Sequence, residues 1–172
     1  MSRTLRLALS LLLGLALLLV TSPARAAATV LRYDASRAAE FVSAVNQAAQ
    51  IWNAGVANVR LVAGTPANFV VVADNGWPRA LPTSLGRGTV WMGRQATSQG
   101  YDPVRVAAHE IGHILGLPDR RTGLCADLMS GSSAPVSCTN AYPSAAERAA
   151  VDRNFAGTAT PQVEFDRLHV DR

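Results

Sequence analysis

Ala107-Ala108-His109-Glu110-Ile111-Gly112-His113-Ile114-Leu115-Gly116-Leu117-Pro118-Asp119 is the stretch on which the fold and the chemistry turn. Pro103, just upstream, suits a first helical position, because its φ is already set and it lacks the amide that would be orphaned there. A helix is therefore predicted from Pro103 through His113, with Gly116 stopping it. Residues four apart on a helix are separated by about 40° around its axis, so the rings of His109 and His113 face one way. Two neutral imidazoles at that spacing suit zinc, whose tetrahedral site takes nitrogen ligands at about 2 Å. Glu110 lies one position along, at the edge of the same face, able to touch a water on the ion without coordinating it. Gly116 lets the chain leave the helix with positive φ, and Leu117-Pro118 carries Asp119 back as the third ligand. Two histidines and one carboxylate leave a fourth position for water, which separates a catalytic zinc site from a closed structural one.

The competing interpretation is two unrelated histidines on an ordinary amphipathic helix. A His-Glu-x-x-His run arises by chance in roughly one chain in a few hundred of this length, and the downstream Gly and Asp make coincidence rarer still. Two of only three histidines in the chain fall here. The third, His169, lies in a polar tail and is expected to be solvated.

Outward from this centre, the amino terminus reads as an address. Arg3 and Arg6 precede a nearly unbroken apolar run from Leu7 to Val20, and Ala24-Arg25-Ala26 fits a small-x-small cleavage site. The run is shorter than the roughly 20 residues needed to cross a bilayer. Residues 1–26 are therefore expected to be a signal peptide and the product to be secreted, without stable membrane insertion. The net charge of +4 comes from sixteen arginines, no lysine and twelve acids. Three of those arginines precede residue 27, so the remainder stands near neutrality with no basic cluster, and nucleic acid is not an expected partner. In an oxidising compartment Cys125 and Cys138 are expected to pair, closing a short loop for about 3 kcal/mol.

The remaining chain reads as one α+β domain over residues 27–157, followed by a polar C-terminal tail, 158–172, expected on the surface or mobile. Thr29 to Tyr33, Val59 to Val62, Asn68 to Ala73 and Gly88 to Met92 read as strands, with Leu81 to Leu85 as a short edge strand. Ser36 is expected to cap a helix from Arg37 to Asn53, whose stripe is Phe41, Val45, Ala48 and Trp52. Leu117 to Pro143 is irregular, and Ser144 to Glu147 is a capping box opening a last helix to about Phe155. Trp52 and Trp91 read as core residues; Trp77, in a loop before Pro78, is the tryptophan expected to be free for a ligand.

The zinc motif with its trailing Gly116 and Asp119 resembles the snapalysin family, small secreted neutral metalloproteases of the metzincin group in which Asp replaces the usual third histidine. Leu128-Met129-Ser130-Gly131, Cys138-Thr139-Asn140, Tyr142-Pro143 and Glu147-Arg148 match in register. The resemblance implies a twisted mixed sheet with a backing helix, a zinc helix below the cleft, a Met-turn at Met129 and a C-terminal helix. It also implies a calcium near the segment before the zinc helix, where Asp102 is the one side chain able to serve. The chain departs from the family pattern in three places. Arg121 stands where the family carries a tyrosine, little room is left for a propeptide before Thr29, and the tail is long.

The expected activity is zinc-dependent endopeptidase cleavage with Glu110 as general base, on the amino side of an aromatic residue. The partners are then protein or peptide substrates, met by a monomer. The substrate is expected to lie extended along the Leu81 to Gly86 edge, and the pocket beyond the scissile bond to be walled by the zinc helix and the Met129 to Tyr142 loop. The alternatives are a secreted binding protein on a retired protease scaffold, which would need no base at Glu110, and another zinc hydrolase such as an amidase.

Overall fold

The first strand, β1 (Thr29–Arg37), buries Leu31, Tyr33 and Ala35 while its alternate residues face outward, so one face of the sheet belongs to the core. The structure is a computed structural model that describes residues 27–172; residues 1–26, expected to be a signal peptide, lie outside the described residues. β2 (Val59–Ala63) and β3 (Phe69–Asp74) run parallel to β1 on either side, and β5 (Arg87–Gly93) runs parallel to β3. β4 (Arg79–Ser84) is antiparallel to β5, and a two-residue β6 (His169–Val170) is antiparallel to β4. The six strands thus form one mixed sheet in the order β2-β1-β3-β5-β4-β6. With the helices this is the expected α+β architecture.

Two helices cross the core side of this sheet. α1 (Val42–Gly55) buries Val45, Ala48 and Trp52 of the stripe read from the sequence, together with Ala44 and Ala49. Its start differs from expectation. β1 continues through Arg37, which pairs with Val72 of β3, and the Ser36 amide donates to Asp34 Oδ1 at 2.8 Å. The ladder therefore claims the residues that local capping chemistry would have given to a helix, and a short 3-10 turn over Ala39–Phe41 makes the entry instead. α2 (Arg94–Ser98) is a single turn that the sequence did not announce.

α3 (Pro103–Ile114) is the helix predicted around the histidines, with Pro103 in its first turn and Asp102 as N-cap. Every residue from Arg105 to Ile114 is buried, so it is a core helix rather than an amphipathic one. Small residues allow that depth. A Cβ on Gly112 would fall 2.6 Å from the Met129 sulfur and 3.4 Å from the Trp52 ring, so only glycine lets helix, loop and α1 meet there. The Trp52 indole N–H donates to the Ala108 carbonyl at 2.9 Å, fastening α1 to α3 through a fully buried bond.

The irregular segment after α3 is stapled by the Cys125–Cys138 disulfide, with Cα atoms 5.5 Å apart. Two buried charges organise it. The Arg105 guanidinium donates to the Cys125 carbonyl at 3.1 Å, to the Asp127 carbonyl at 2.8 Å, and to the Asn140 carbonyl. The Glu147 carboxylate, 3% exposed, accepts the Met129 amide at 2.7 Å, the Leu128 amide at 3.2 Å and the Ser144 amide at 2.6 Å. Glu147 also completes the predicted capping box of α4 (Ala145–Phe155). One carboxylate therefore starts a helix and suspends the loop carrying Met129. No described helix is long and apolar enough to cross a membrane.

Residues 158–172 do not lie free on the surface as expected. Val163 and Asp171 are buried, and the segment folds back along β4: the Asp166 amide donates to the Pro82 carbonyl at 2.8 Å and the Asp171 amide to the Pro78 carbonyl at 3.0 Å. β4 is consequently not the free edge foreseen at Leu81 to Gly86.

Candidate metal centre

His109 and His113 project from α3 with side chains 1% exposed, their ring centroids 4.8 Å apart and their planes perpendicular. Each Nδ1 faces a backbone carbonyl: Leu128 O at 3.1 Å for His109 and Leu117 O at 2.8 Å for His113. A carbonyl only accepts, so each Nδ1 carries a proton and donates, and each Nε2 is the nitrogen left to offer a metal its lone pair when it holds no proton. The orienting partners are thus main-chain groups, which explains why side-chain types gave no sign of them.

Gly116, at φ +92°, turns the chain out of α3 as expected. Asp119 returns with Oδ1 3.3 Å from His109 Nε2 and 3.6 Å from His113 Nε2. Ligands at about 2.0–2.1 Å on a tetrahedral ion stand roughly 3.3–3.4 Å from one another, so these separations match the edges of such a site. His109 Nε2, Asp119 Oδ1 and both Glu110 carboxylate oxygens are buried with no hydrogen-bond partner. Four orphaned polar atoms at one spot would cost several kcal/mol, and a bound cation with its water answers that cost. Two imidazoles and one carboxylate fit zinc.

The local charges agree. Burial works to lower the His109 pKa, but the carboxylates of Asp171, Asp119 and Glu110 outweigh it and hold the ring up at about 9. Burial and the charge on His109 push His113 down to about 3. Burial works to raise Asp119, yet its contacts with His109, His113 and Arg121 hold it below the usual carboxylate range. Burial drives Glu110 well above that range. Acids crowd the site against a single imidazolium charge, an imbalance that suits a divalent ion.

Met129 is fully buried, its sulfur against Gly112, which lies between the two histidines of α3. Asp102 is committed to the helix start, its Oδ1 accepting the Arg105 amide at 2.8 Å. Among the described residues the groups able to hold a metal are His109, His113 and Asp119, and a second set of His109, Glu110 and Asp171; Asp102 is in neither. Arg121 adopts φ +47° and spends its guanidinium on neighbours. It donates to Asp119 Oδ2 at 3.1 Å, to Ser132 Oγ at 2.7 Å and to the Val170 carbonyl at 3.3 Å. Trp77 packs edge-on against Tyr101 and is partly buried, whereas Trp91 is half-buried with the Arg79 guanidinium 4.7 Å above its ring.

Sequence reasoning missed two residues here. The His169 ring stacks on His113 at 4.8 Å between centroids, not in solvent, and Asp171 joins His109 and Glu110 in the second set. The tail's composition carried no signal for either, because their placement depends on pairing with a strand some ninety residues earlier. A cavity of about 430 Å³ opens onto Asp119, walled by Pro118 and by Gln162, Leu168, His169 and Val170 of the tail. A separate, small pocket is lined by Arg105, Val106 and His109 of α3 together with Gly131 of the Met129 to Tyr142 loop and Asp171.

Comparison with known proteins bears on this geometry. The model of the Streptomyces extracellular neutral proteinase (M7) family matches residues 27–158. An extracellular small neutral protease of Streptomyces sp. (strain C5) is 42% identical over 138 residues, covering 78% of this chain and 60% of the relative. Proteins of the same name from Streptomyces caespitosus and Streptomyces lividans are 45% identical over 126 residues and 40% identical over 137. The chain spans 60% of the length of the Streptomyces lividans protein and 95% of that of the Streptomyces caespitosus protein.

Proposed function

We propose, on the premise that this chain belongs to the Streptomyces extracellular neutral proteinase (M7) family, that it is a secreted zinc endopeptidase held together chemically by His109, His113, Asp119 and Glu110. The observation that carries this reading is the convergence of orphaned, buried donor atoms at spacings a tetrahedral ion would span. A zinc ion there would supply Lewis acidity, polarising the scissile carbonyl and acidifying the attacking water.

The protein's own groups do the rest. The Leu128 and Leu117 carbonyls hold the two imidazoles in the tautomer that presents Nε2. Arg121 anchors the outer oxygen of Asp119, so that Oδ1 points inward. Met129 and the surrounding core form a dry floor that keeps bulk water off the back of the ligands. Glu110, with both oxygens free and its basicity raised by burial, accepts a proton from the attacking water and passes it to the leaving amine. Preference for cleavage before an aromatic residue is supported by the snapalysin-like motifs, and a peptide-library profile reads it directly.

Metal quantification beside peptide cleavage, on the parent chain and Glu110→Gln, tests the reading. Both should hold about one zinc per chain, while the variant loses about 100-fold or more in turnover, as removal of a general base requires. Undiminished turnover in the variant, or a chain that takes up no transition metal, refutes it.

A further inference from the structure

The family match stops at residue 158, yet the chain continues along the rim of the metal centre. We propose that this rim, β4 together with Arg121 and Ser132, is a docking edge for an extended peptide bearing an acidic side chain, and that residues 164–172 are its built-in occupant. The inference rests on the protease reading for its consequence, self-inhibition, but not for the docking itself.

Three observations converge. First, the tail is bound as an added strand. Arg79 pairs with Val170 and Ala80 with His169 in antiparallel register, and main-chain bonds at Asp166 and Asp171 extend the contact from Pro78 to Pro82. Exposed strand edges are where extended peptides add themselves to sheets, and here the added peptide is the chain's own. Second, Asp171 sits in a carboxylate pocket. Its Oδ1 accepts the Ser132 amide at 2.7 Å and stands 3.3 Å from the Arg121 guanidinium, and the residue is 6% exposed. Such burial is not ordinary for a residue of a polar tail, and the guanidinium with an inward-aimed amide is a built anion receptor. Third, the tail reaches the reacting groups. The Asp171 carboxylate lies within 4.8 Å of His109 and Glu110 ligand atoms, and the His169 ring covers His113. A substrate cannot pair with β4 near Glu110 while this segment stays in place. Arg121, which also holds the outer oxygen of Asp119, is the residue that pins it.

The tail is tethered, so a peptide in solution must compete with a high local concentration of the same segment. Loosening the tail therefore strengthens binding of an outside peptide. The probe is a fluorescein-labelled synthetic peptide with the sequence of residues 164–172. It is titrated into the zinc-loaded full chain in a Glu110→Gln background, with and without Asp171→Ala, so that no turnover is needed. Asp171→Asn is the second variant, and circular dichroism melting verifies that each is folded. Loss of a charge-assisted bond in the tail corresponds to about tenfold, so Asp171→Ala should bind the peptide about tenfold more tightly, with Asp171→Asn intermediate. Amide exchange at Asp166 and Asp171 in the chain with its native tail should be slow, and should accelerate when the peptide is saturating. Equal affinity for all three chains overturns the proposal, as does absence of binding to any of them, or tail amides that stay protected with the peptide bound. If the peptide binds as described but the tail-loosened Asp171→Ala chain, with Glu110 intact, cleaves nothing, the protease reading fails alone; if that chain cleaves and the peptide does not compete, only the docking inference fails.

Discussion

Replacing Glu147 by Gln tests how the metal ligands are supported from behind. The carboxylate is buried and accepts three main-chain amides, those of Leu128, Met129 and Ser144. A glutamine has one acceptor oxygen and one NH2 group. If its oxygen keeps the short bond to Met129, the NH2 must face the Leu128 and Ser144 amides, donor against donor. Ser144 is part-exposed and can turn to water, so the dominant loss is at buried Leu128, with weakening at Met129 as the charge disappears. Hydrogen bonds to a charged group are each worth about 1.5–3 kcal/mol, and an unmet buried amide costs a similar amount. A destabilisation of about 3 kcal/mol follows, or about 6–12 °C in Tm for a domain of this size. Thermal unfolding in chelator, followed by circular dichroism, isolates this effect from metal binding. The consequence extends to the ion, because the Leu128 carbonyl orients His109. Loss of an orienting partner lowers metal affinity about 10- to 100-fold, which competition against a chromogenic chelator measures. A variant within about 2 °C of the parent, with unchanged zinc affinity, would show that Glu147 is only a helix cap.

Two further outcomes follow from the packing and the charges. Gly112→Ala places a Cβ 2.6 Å from the Met129 sulfur and should cost about 1–3 kcal/mol in denaturant unfolding; a neutral result would mean that the loop yields without strain. The hydrogen bonds from Arg79 hold the Asp74 carboxyl below its ordinary value, so its contribution to stability is full above about pH 4 and disappears as pH falls through the lower folded-state value. Asp74→Asn should therefore melt below the parent at pH 6, with the gap narrowing steadily as pH is lowered below about 4, and a gap that does not narrow would rule out this linkage.

How far the sequence carried the fold depended on the range of the interactions involved. The strands β1, β2, β3 and β5 were visible in their β-branched alternation, and α3 in Pro103, the histidine spacing and Gly116, because each signal lies within a few residues of its effect. The α4 capping box was visible for the same reason. The start of α1 was misplaced because the local preference of Ser36 lost to ladder bonds with β3, a partner more than thirty residues away. Met129 had no signal of its own; only its place in the family pattern singled it out, and its burial against Gly112 is a product of helix–loop packing.

The sequence by itself determined which atoms can grip a cation: two rings four residues apart on one helix, a turn at Gly116, and a carboxylate three positions on. Those choices follow from helical pitch and one permissive backbone angle, both short-range. Only the tertiary structure decided what surrounds them, namely the carbonyls that set the imidazole tautomers, the Glu147 carboxylate behind Met129, and Asp171 and His169 brought over the site by strand pairing with β4. Such contacts join residues distant along the chain, and no local pattern encodes them, because main-chain hydrogen bonds and buried ion pairs depend on where the backbone ends up rather than on which residues lie next to one another.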